Sequence, residues 1–314
     1  MPARLVSGSA YAALVQAVAA ASASDEAACD LQRFPDGELR PTVTGIRGDD
    51  DYVVAGTGPP VSDSIVELLL VLDACRRGGA DRITAVMPYF GYARQDRRGR
   101  PGEAVGARLV ADALAGAGAQ RLVVVDPHTP ALEAMCSVPM EMVTAVPVLA
   151  RALAPDVPDG AVVVAPDLGA AKLAERYASL LGRTVAVVRK TRVSGDAVHA
   201  EELVGDVGGR QALIVDDMIS TGGTIEAAIR ILLATGALPE IVVAATHGLL
   251  VGNATERLGA SPIRRLVVTD SVPTGAAGGP GGLPVQVQSI APLLADVVGR
   301  LHRDEELTDL LVRT

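Results

Sequence analysis

Short apolar runs recur along the chain, and most of them stop at a polar residue. They are Tyr52–Ala55, Ile83–Val86, Leu122–Val125 before Asp126, Val162–Val164, Val185–Val188, Leu213–Val215 before Asp216, Ile241–Ala244, and Leu266–Thr269 before Asp270. The runs are continuous and rich in Val and Ile, the pattern of strands buried on both faces. Stretches rich in Ala and Leu lie among them at 62–77, 103–117, 169–181 and 223–235, each long enough for a helix. The opening residues also read as a first strand and helix. They are Ala-rich but lack a charged segment followed by a continuous apolar block, so they do not read as a signal peptide. Strand alternating with helix predicts an α/β fold with mostly parallel sheets and crossover helices. In such sheets ligands bind beyond the carboxyl ends of the strands, which brings Asp126, His128, Asp167, Asp216 and Asp217 into view.

The order of these runs partly repeats. Residues 107–126 resemble 253–270, and 67–86 resemble 226–245, with small gaps. Ala-rich helices before Val-rich strands always look somewhat alike, but the two blocks keep their order, which favours a duplicated α/β unit. Pro147, Pro155 and Pro158 cluster at the break. The expected division is therefore 1–146 and 147–314, with part of 285–314 packing back on the first domain. Residues 272–284, VPTGAAGGPGGLP, read as a loop.

Charge and composition narrow the classes. The 28 basic and 37 acidic side chains leave a net charge of −9, which argues against a general nucleic-acid or anionic-membrane binder. No apolar run is long enough to span a bilayer. Cys29, Cys75 and Cys136 are far apart and form no Cys-x-x-Cys pair, so neither a zinc site nor a disulfide framework is expected, and a reducing cytoplasm fits. Of only seven aromatic residues, Tyr89, Phe90 and Tyr92 share one PYFGY stretch and Phe34 sits in RFPDGE. Filling a gap beneath a loop is the simplest role for such a cluster.

The strongest chemical signal is LIVDDMISTGGTIEAAI at 213–229. An apolar strand runs into two carboxylates, then a Ser-Thr-Gly-Gly-Thr turn, then a helix. Gly222 and Gly223 allow backbone N–H groups to approach an anion, and the helix N-terminus adds a favourable dipole. Ser220, Thr221 and Thr224 add hydroxyl donors, while Asp216 and Asp217 can accept hydrogen bonds from sugar hydroxyls. The cradle suits a phosphate monoester. It is not the nucleotide-binding loop with a Lys after the glycines.

Residues 213–225 resemble the ribose-phosphate-binding motif of the phosphoribosyltransferase superfamily. Further stretches are similar to one branch of it, the ribose-phosphate pyrophosphokinases. These are RFPDGE (33–38), the segment 67–98 that ends in YFGYARQDRR, VVVDPHT (123–129), APDLG (165–169), KTR (190–192) and THGLLVGNA (246–254). The resemblance runs in order through nearly the whole chain. It implies two tandem phosphoribosyltransferase-like domains, each a mostly parallel sheet flanked by helices. It also implies transfer of the diphosphoryl group of ATP to the anomeric hydroxyl of ribose 5-phosphate, with Mg2+ as cofactor.

The resemblance further implies site residues. Phe34, Asp36 and Glu38 match adenine contacts supplied by a neighbouring subunit of a homo-oligomer, dimer or hexamer. Arg94 and Gln95 match the family's ATP-binding pair, and Arg offers a planar fork for phosphate oxygens. His128 and Asp167 match the magnesium–ATP site; since Mg2+ prefers oxygen ligands, water-mediated or phosphate contact is equally open for His128. Lys190 and Arg192 match the catalytic loop, with Arg192 also facing ribose 5-phosphate. Asp216, Asp217, Ser220, Thr221, Gly222, Gly223 and Thr224 match the ribose 5-phosphate site. Ser220 stands where many members carry Asp, and the C-terminal end lacks the serine-rich pattern that binds inhibitor phosphates in one branch. A catalytically silent regulatory subunit of the same fold is the rival expectation. The presence of Lys190, Arg192, His128, Asp167, Arg94 and Gln95 favours the enzyme.

Overall fold

A computed structural model describes residues 2–22, 24–192, 199–273 and 282–312; residues 190–192 and 199–201 are described by their backbone alone. In chain order the elements are β1 (Ala3–Ser7), α1 (Ala12–Ser22), β2 (Asp25–Glu26), β3 (Ala28–Arg33), β4 (Leu39–Thr44), β5 (Asp50–Val54), α2 (Val61–Gly78), β6 (Arg82–Met87), α3 (Gly106–Ala117), β7 (Arg121–Val125) and β8 (Met140–Val143). Then come α4 (Val146–Leu153), β9 (Val162–Ala165), α5 (Ala171–Leu181), β10 (Thr184–Arg192), β11 (His199–Val204), β12 (Ala212–Ile219), α6 (Gly223–Ala234), β13 (Ile241–Gly248), α7 (Ala254–Gly259), β14 (Ile263–Thr269), β15 (Val285–Gln288) and α8 (Ala291–His302).

Two compact units result. The first comprises Met1–Thr144, Ser271–Pro273 and Ser289–Thr314; the second comprises Ala145–Asp270 and Thr274–Gln288. The first holds a six-stranded sheet in the order β2-β1-β5-β6-β7-β8, parallel throughout. The second holds a seven-stranded sheet in the order β11-β10-β9-β12-β13-β14-β15. It is parallel except for the β10–β11 pair. The fold class is thus the expected one. The repeat also acquires a structural meaning: 67–86 and 226–245 are α2–β6 and α6–β13, while 107–126 and 253–270 are α3–β7 and α7–β14.

The apolar runs became strands because each is covered on both sides. Val162, Val163 and Val164 are fully buried. Val162 and Val164 pack with residues of α6 and α7, while Val163 packs with residues of α4 and α5. Burying such a side chain is worth ~1.5–3 kcal/mol. In the first unit α2 and α3 pack on one face of the sheet, and α1 packs against α8.

The helix after each sheet's last strand belongs to the other unit. α4 follows β8 yet is part of the second unit, and α8 follows β15 yet is part of the first. The first unit is closed by the C-terminal segment, which pairs with the edge strand β8: Thr144 N donates to Leu310 O at 2.9 Å and Val312 N to Met142 O at 2.7 Å. Covering an edge in this way removes a template for unwanted pairing.

Candidate active site

In the second unit the strand-turn-helix motif has the expected form. β12 carries Asp216 and Asp217 within the strand, and extends to Ile219. The chain turns through Ser220–Gly222 and α6 begins at Gly223. Gly222 has φ +78° and stands at the N-cap without a side chain to bond the first-turn N–H groups. A β-carbon there would meet Leu258 Cγ at 3.0 Å. Only glycine adopts this conformation cheaply, and the uncapped first turn leaves donors pointing at the turn. The turn is braced from behind by two backbone bonds: Leu250 N to Ile219 O and Val251 N to Ser220 O, both 3.0 Å. Leu250 and Val251 belong to the THGLLVGNA stretch, which gives that stretch a structural role. Arg257 of α7 pairs with Glu226 of α6 at 2.8 Å, so the acidic side chain of α6's first turn is neutralised.

Asp167 lies just beyond β9, which pairs with β12 at Val164↔Ile214. Asp167 and the Asp216–Asp217 pair therefore emerge at the same end of adjacent parallel strands, where ligand sites form. Asp167 Oδ1 accepts from Gly169 N at 2.8 Å and from Ala170 N at 3.2 Å. It is thus a cap for the turn into α5, which does not exhaust its second oxygen. Asp216 Oδ1 accepts from Asp217 N at 2.9 Å. Burial holds the Asp216 carboxyl well above the usual range, and the negative charges of Asp217 and Asp167 add to this. Three carboxyl groups thus meet at the ends of two adjacent strands, and a bound cation there would favour the ionised form of Asp216. Among the described residues no group of three His, Cys, Asp or Glu side chains is set to hold a metal by itself.

Lys190 and Arg192, which the resemblance assigns to a catalytic loop, both lie inside β10, which runs to Arg192 and forms an antiparallel pair with β11. Lys190 stands opposite Glu201 and Arg192 opposite His199. The apolar run ends at Val188, but backbone pairing with the polar strand β11 carries the ladder four residues further. The middle of the expected catalytic loop, 193–198, lies outside the described residues.

In the first unit RFPDGE forms the tip of the hairpin β3–β4. Phe34 N donates to Glu38 O at 2.8 Å, Gly37 N to Phe34 O at 2.9 Å, and Gly37 has φ +99°. Asp36 Oδ1 accepts from Glu38 N at 3.1 Å. Phe34 is 42% exposed, unusual for one of only two phenylalanines. The Arg40 guanidinium lies 5.1 Å from its ring centre.

The PYFGYARQ stretch divides its labour. Tyr89 and Phe90 are buried, so they do fill the space beneath a loop. Arg94 and Gln95 are exposed four and five residues later. Between them Tyr92 takes φ +65°, and Gln95 N donates to Tyr92 O at 2.8 Å. Gly106 opens α3 where a β-carbon would meet Gln95 Oε1 and Tyr92 Cδ1, each at 2.8 Å. His128 is exposed two residues beyond Asp126, which follows β7 with φ +37°. Thr129 caps the next turn, its Oγ1 accepting from Ala131 N at 3.3 Å.

Within each unit the sequence-derived residues converge. Asp167, Asp216, Asp217 and the 220–224 turn share one strand edge of the second. Phe34, Asp36 and Glu38 share one hairpin tip of the first, and Arg94 and Gln95 one loop. Thr57, which helps to shape that loop through its bond to Gly91 N, carried no functional signal in the sequence.

The chain matches the family model described as the N-terminal domain of ribose phosphate pyrophosphokinase over residues 3–118. It matches the model of the phosphoribosyl synthetase-associated domain over residues 197–312. It is 39% identical over 282 residues to the ribose-phosphate pyrophosphokinase of Aquifex aeolicus, covering 89% of each chain. It is 42% identical over 288 residues to that of Rhodopirellula baltica, again covering 89% of each. Among solved structures it is similar to a phosphoribosylpyrophosphate synthetase from Mycobacterium smegmatis, with a TM-score of 0.87, 36% identity, and coverage of 97% of this chain and 100% of that one.

Proposed function

The chain belongs to the ribose-phosphate pyrophosphokinase family, and from that membership we infer that it transfers the diphosphoryl group of ATP to the anomeric hydroxyl of ribose 5-phosphate, releasing AMP and 5-phosphoribosyl 1-pyrophosphate. The observation that carries the reading is the uncapped N-terminus of α6, opening off β12 beside Asp216 and Asp217. In this assignment the 5-phosphate sits on Ser220, Thr221, Gly222, Gly223 and Thr224. Asp216 and Asp217 accept from the ribose hydroxyls, which turns the anomeric carbon away from the cradle and toward the donor.

ATP is held by Arg94 and Gln95, with His128 touching its phosphates or a metal-bound water. Mg2+ suits the hard oxygens at the edge of the second sheet, and Asp167 is the residue that would hold it, through the oxygen not engaged in capping. When bound, the cation neutralises phosphate charge. Lys190 and Arg192 stabilise the negative charge that grows as the diphosphoryl group leaves AMP. Such donors act most strongly when fixed beforehand. The reading of the chain as a silent regulatory subunit gains no support, since the relatives it matches over most of their length are named as the enzyme.

Phe34, Asp36 and Glu38 complete an adenine pocket on a second copy, with Phe34 stacking on the base. Their exposure on a hairpin tip supports this, and it requires a dimer or larger. Light scattering on the active protein reads the mass: an oligomer is expected, and a monomer that turns over would remove these residues from a shared site. The test of the activity itself is whether ATP and ribose 5-phosphate yield AMP rather than ADP.

A further inference from the structure

We propose that Thr57, buried below the ATP loop and part of no motif that identified the family, is a positioning residue for that loop. This rests on the reading of Arg94 and Gln95 as ATP contacts. β5 and β6 run side by side to Val54↔Val86. Their pairing continues past the ends of both strands, with Ala55 N donating to Val86 O at 3.0 Å and Thr57 N to Tyr89 O at 2.9 Å. The Thr57 side chain then reaches one residue further. Its Oγ1 accepts from Gly91 N at 2.6 Å, while its own O–H donates to Tyr89 O at 3.3 Å. The hydroxyl is therefore used in both directions, and Thr57 is fully buried.

The fit is close. A β-carbon on Gly91 would lie 2.6 Å from Thr57 O, 3.0 Å from Thr57 Oγ1 and 3.0 Å from Val61 Cγ1. Glycine at 91 and a hydroxyl at 57 are thus one device that fixes where the chain leaves the core. Tyr89 and Phe90, buried on the core side, hold the segment from below. From Gly91 the chain has only Tyr92 and Ala93 before Arg94, and Ala93 is itself buried. The anchor is therefore three residues from the guanidinium that meets phosphate. At its far end the loop closes on α3, where Ala107 N donates to Gln95 O at 3.3 Å. With both ends held, Arg94 and Gln95 are presented from a fixed frame, and less ordering is left for ATP to impose on binding.

Thr57→Val keeps the shape but leaves the buried Gly91 N–H without an acceptor, a costly loss. The expected result is a rise of about tenfold in KM for ATP, with KM for ribose 5-phosphate within about twofold of the parent. Thr57→Ser, which keeps the hydroxyl, restores the ATP value. Thr57→Val with both KM values unchanged, or with both raised equally, overturns the proposal, and so does failure of the serine to rescue. Arg94→Ala run in parallel tests the underlying reading: an unchanged KM for ATP there removes Arg94 from the site. Amide exchange at Gly91 in the parent protein judges the anchor separately, and also decides the matter if Thr57→Val does not fold. Slow exchange supports the anchor; exchange at the rate of an open loop overturns it.

Discussion

Three consecutive aspartates, Asp49 just before β5 and Asp50 and Asp51 opening it, have completely different surroundings. Asp49 accepts from Arg4 Nε at 3.0 Å. Asp50 collects Tyr52 Oη at 2.9 Å, Arg82 Nη2 at 2.6 Å and His302 Nδ1 at 3.0 Å, which ties α8 to the sheet. Asp51 is fully buried and neither oxygen has a nitrogen or oxygen donor; the weak thiol of Cys75 faces it from α2. Burial pushes its carboxyl up to about 7, helped by the charges of Asp49 and Asp50 and opposed by Cys75 and Arg4. The native state therefore holds a proton on Asp51 that the unfolded chain releases near pH ~4. Between about pH 4 and 7 the native state binds more protons, so stability falls as pH rises through that window and the loss is complete above it. Asp51→Asn mimics the protonated acid. It is expected to stabilise the protein by ~2–4 kcal/mol at pH 8 and to have little effect at pH 4. Denaturant melts of both proteins across this range are the check; parallel curves would show that Asp51 is ionised in the fold.

At the scale of elements, the turn between β12 and α6 makes the sharpest demand on one residue type. Gly222→Ala places a β-carbon against Leu258 at a residue with φ +78°, a strain of ~1–2 kcal/mol. The turn can relieve this only by moving the first N–H groups of α6. KM for ribose 5-phosphate is expected to rise about tenfold, with KM for ATP nearly unchanged. Calorimetric titration of each substrate would contradict the cradle if ATP binding were the one that weakened.

This turn was readable in the sequence because strand, carboxylates, small residues and helix lie in one continuous stretch. The eight apolar runs were readable because burial on both faces demands unbroken Val and Ile. β11, HAEELV, and β3, ACDLQR, were not, because they are polar and lie at a sheet edge or in a separate hairpin. α4 was not, because it is short, begins with Pro147 in its first turn and is followed at once by Pro155 and Pro158. α8 carries a helical stripe of Leu293, Leu294, Val297, Val298 and Leu301, but the polar stretch 303–309 comes next in place of a Val-rich run. Thr57 left no trace because it works by hydrogen bonds to the backbone of a segment more than thirty residues away.

At the scale of the whole molecule, two sheets of related strand order carry different equipment. The first unit carries the hairpin β3–β4 and the loop with Arg94 and Gln95; the second carries the β12–α6 turn, proposed as the phosphate cradle, and the β10–β11 pair. In the first unit the hairpin is a separate two-stranded sheet whose tip projects Phe34, whereas in the second β10 and β11 lie at the edge of the main sheet and bear Lys190 and Arg192. α8 follows the last strand of the second sheet yet belongs to the first unit, so the first unit draws on both ends of the sequence. No helix among the described residues is long and apolar enough to cross a membrane. In the proposed function this molecule moves a diphosphoryl group and Lys190 serves the chemical step. The most direct measurement gives the parent and Lys190→Ala ATP labelled in its β-phosphate, with ribose 5-phosphate and Mg2+. The parent is expected to place the label in 5-phosphoribosyl 1-pyrophosphate with one AMP per turnover. Lys190→Ala should bind both substrates and lose ~10²–10³ in rate. Label appearing in ADP, or a Lys190→Ala protein as fast as its parent, would contradict that proposal.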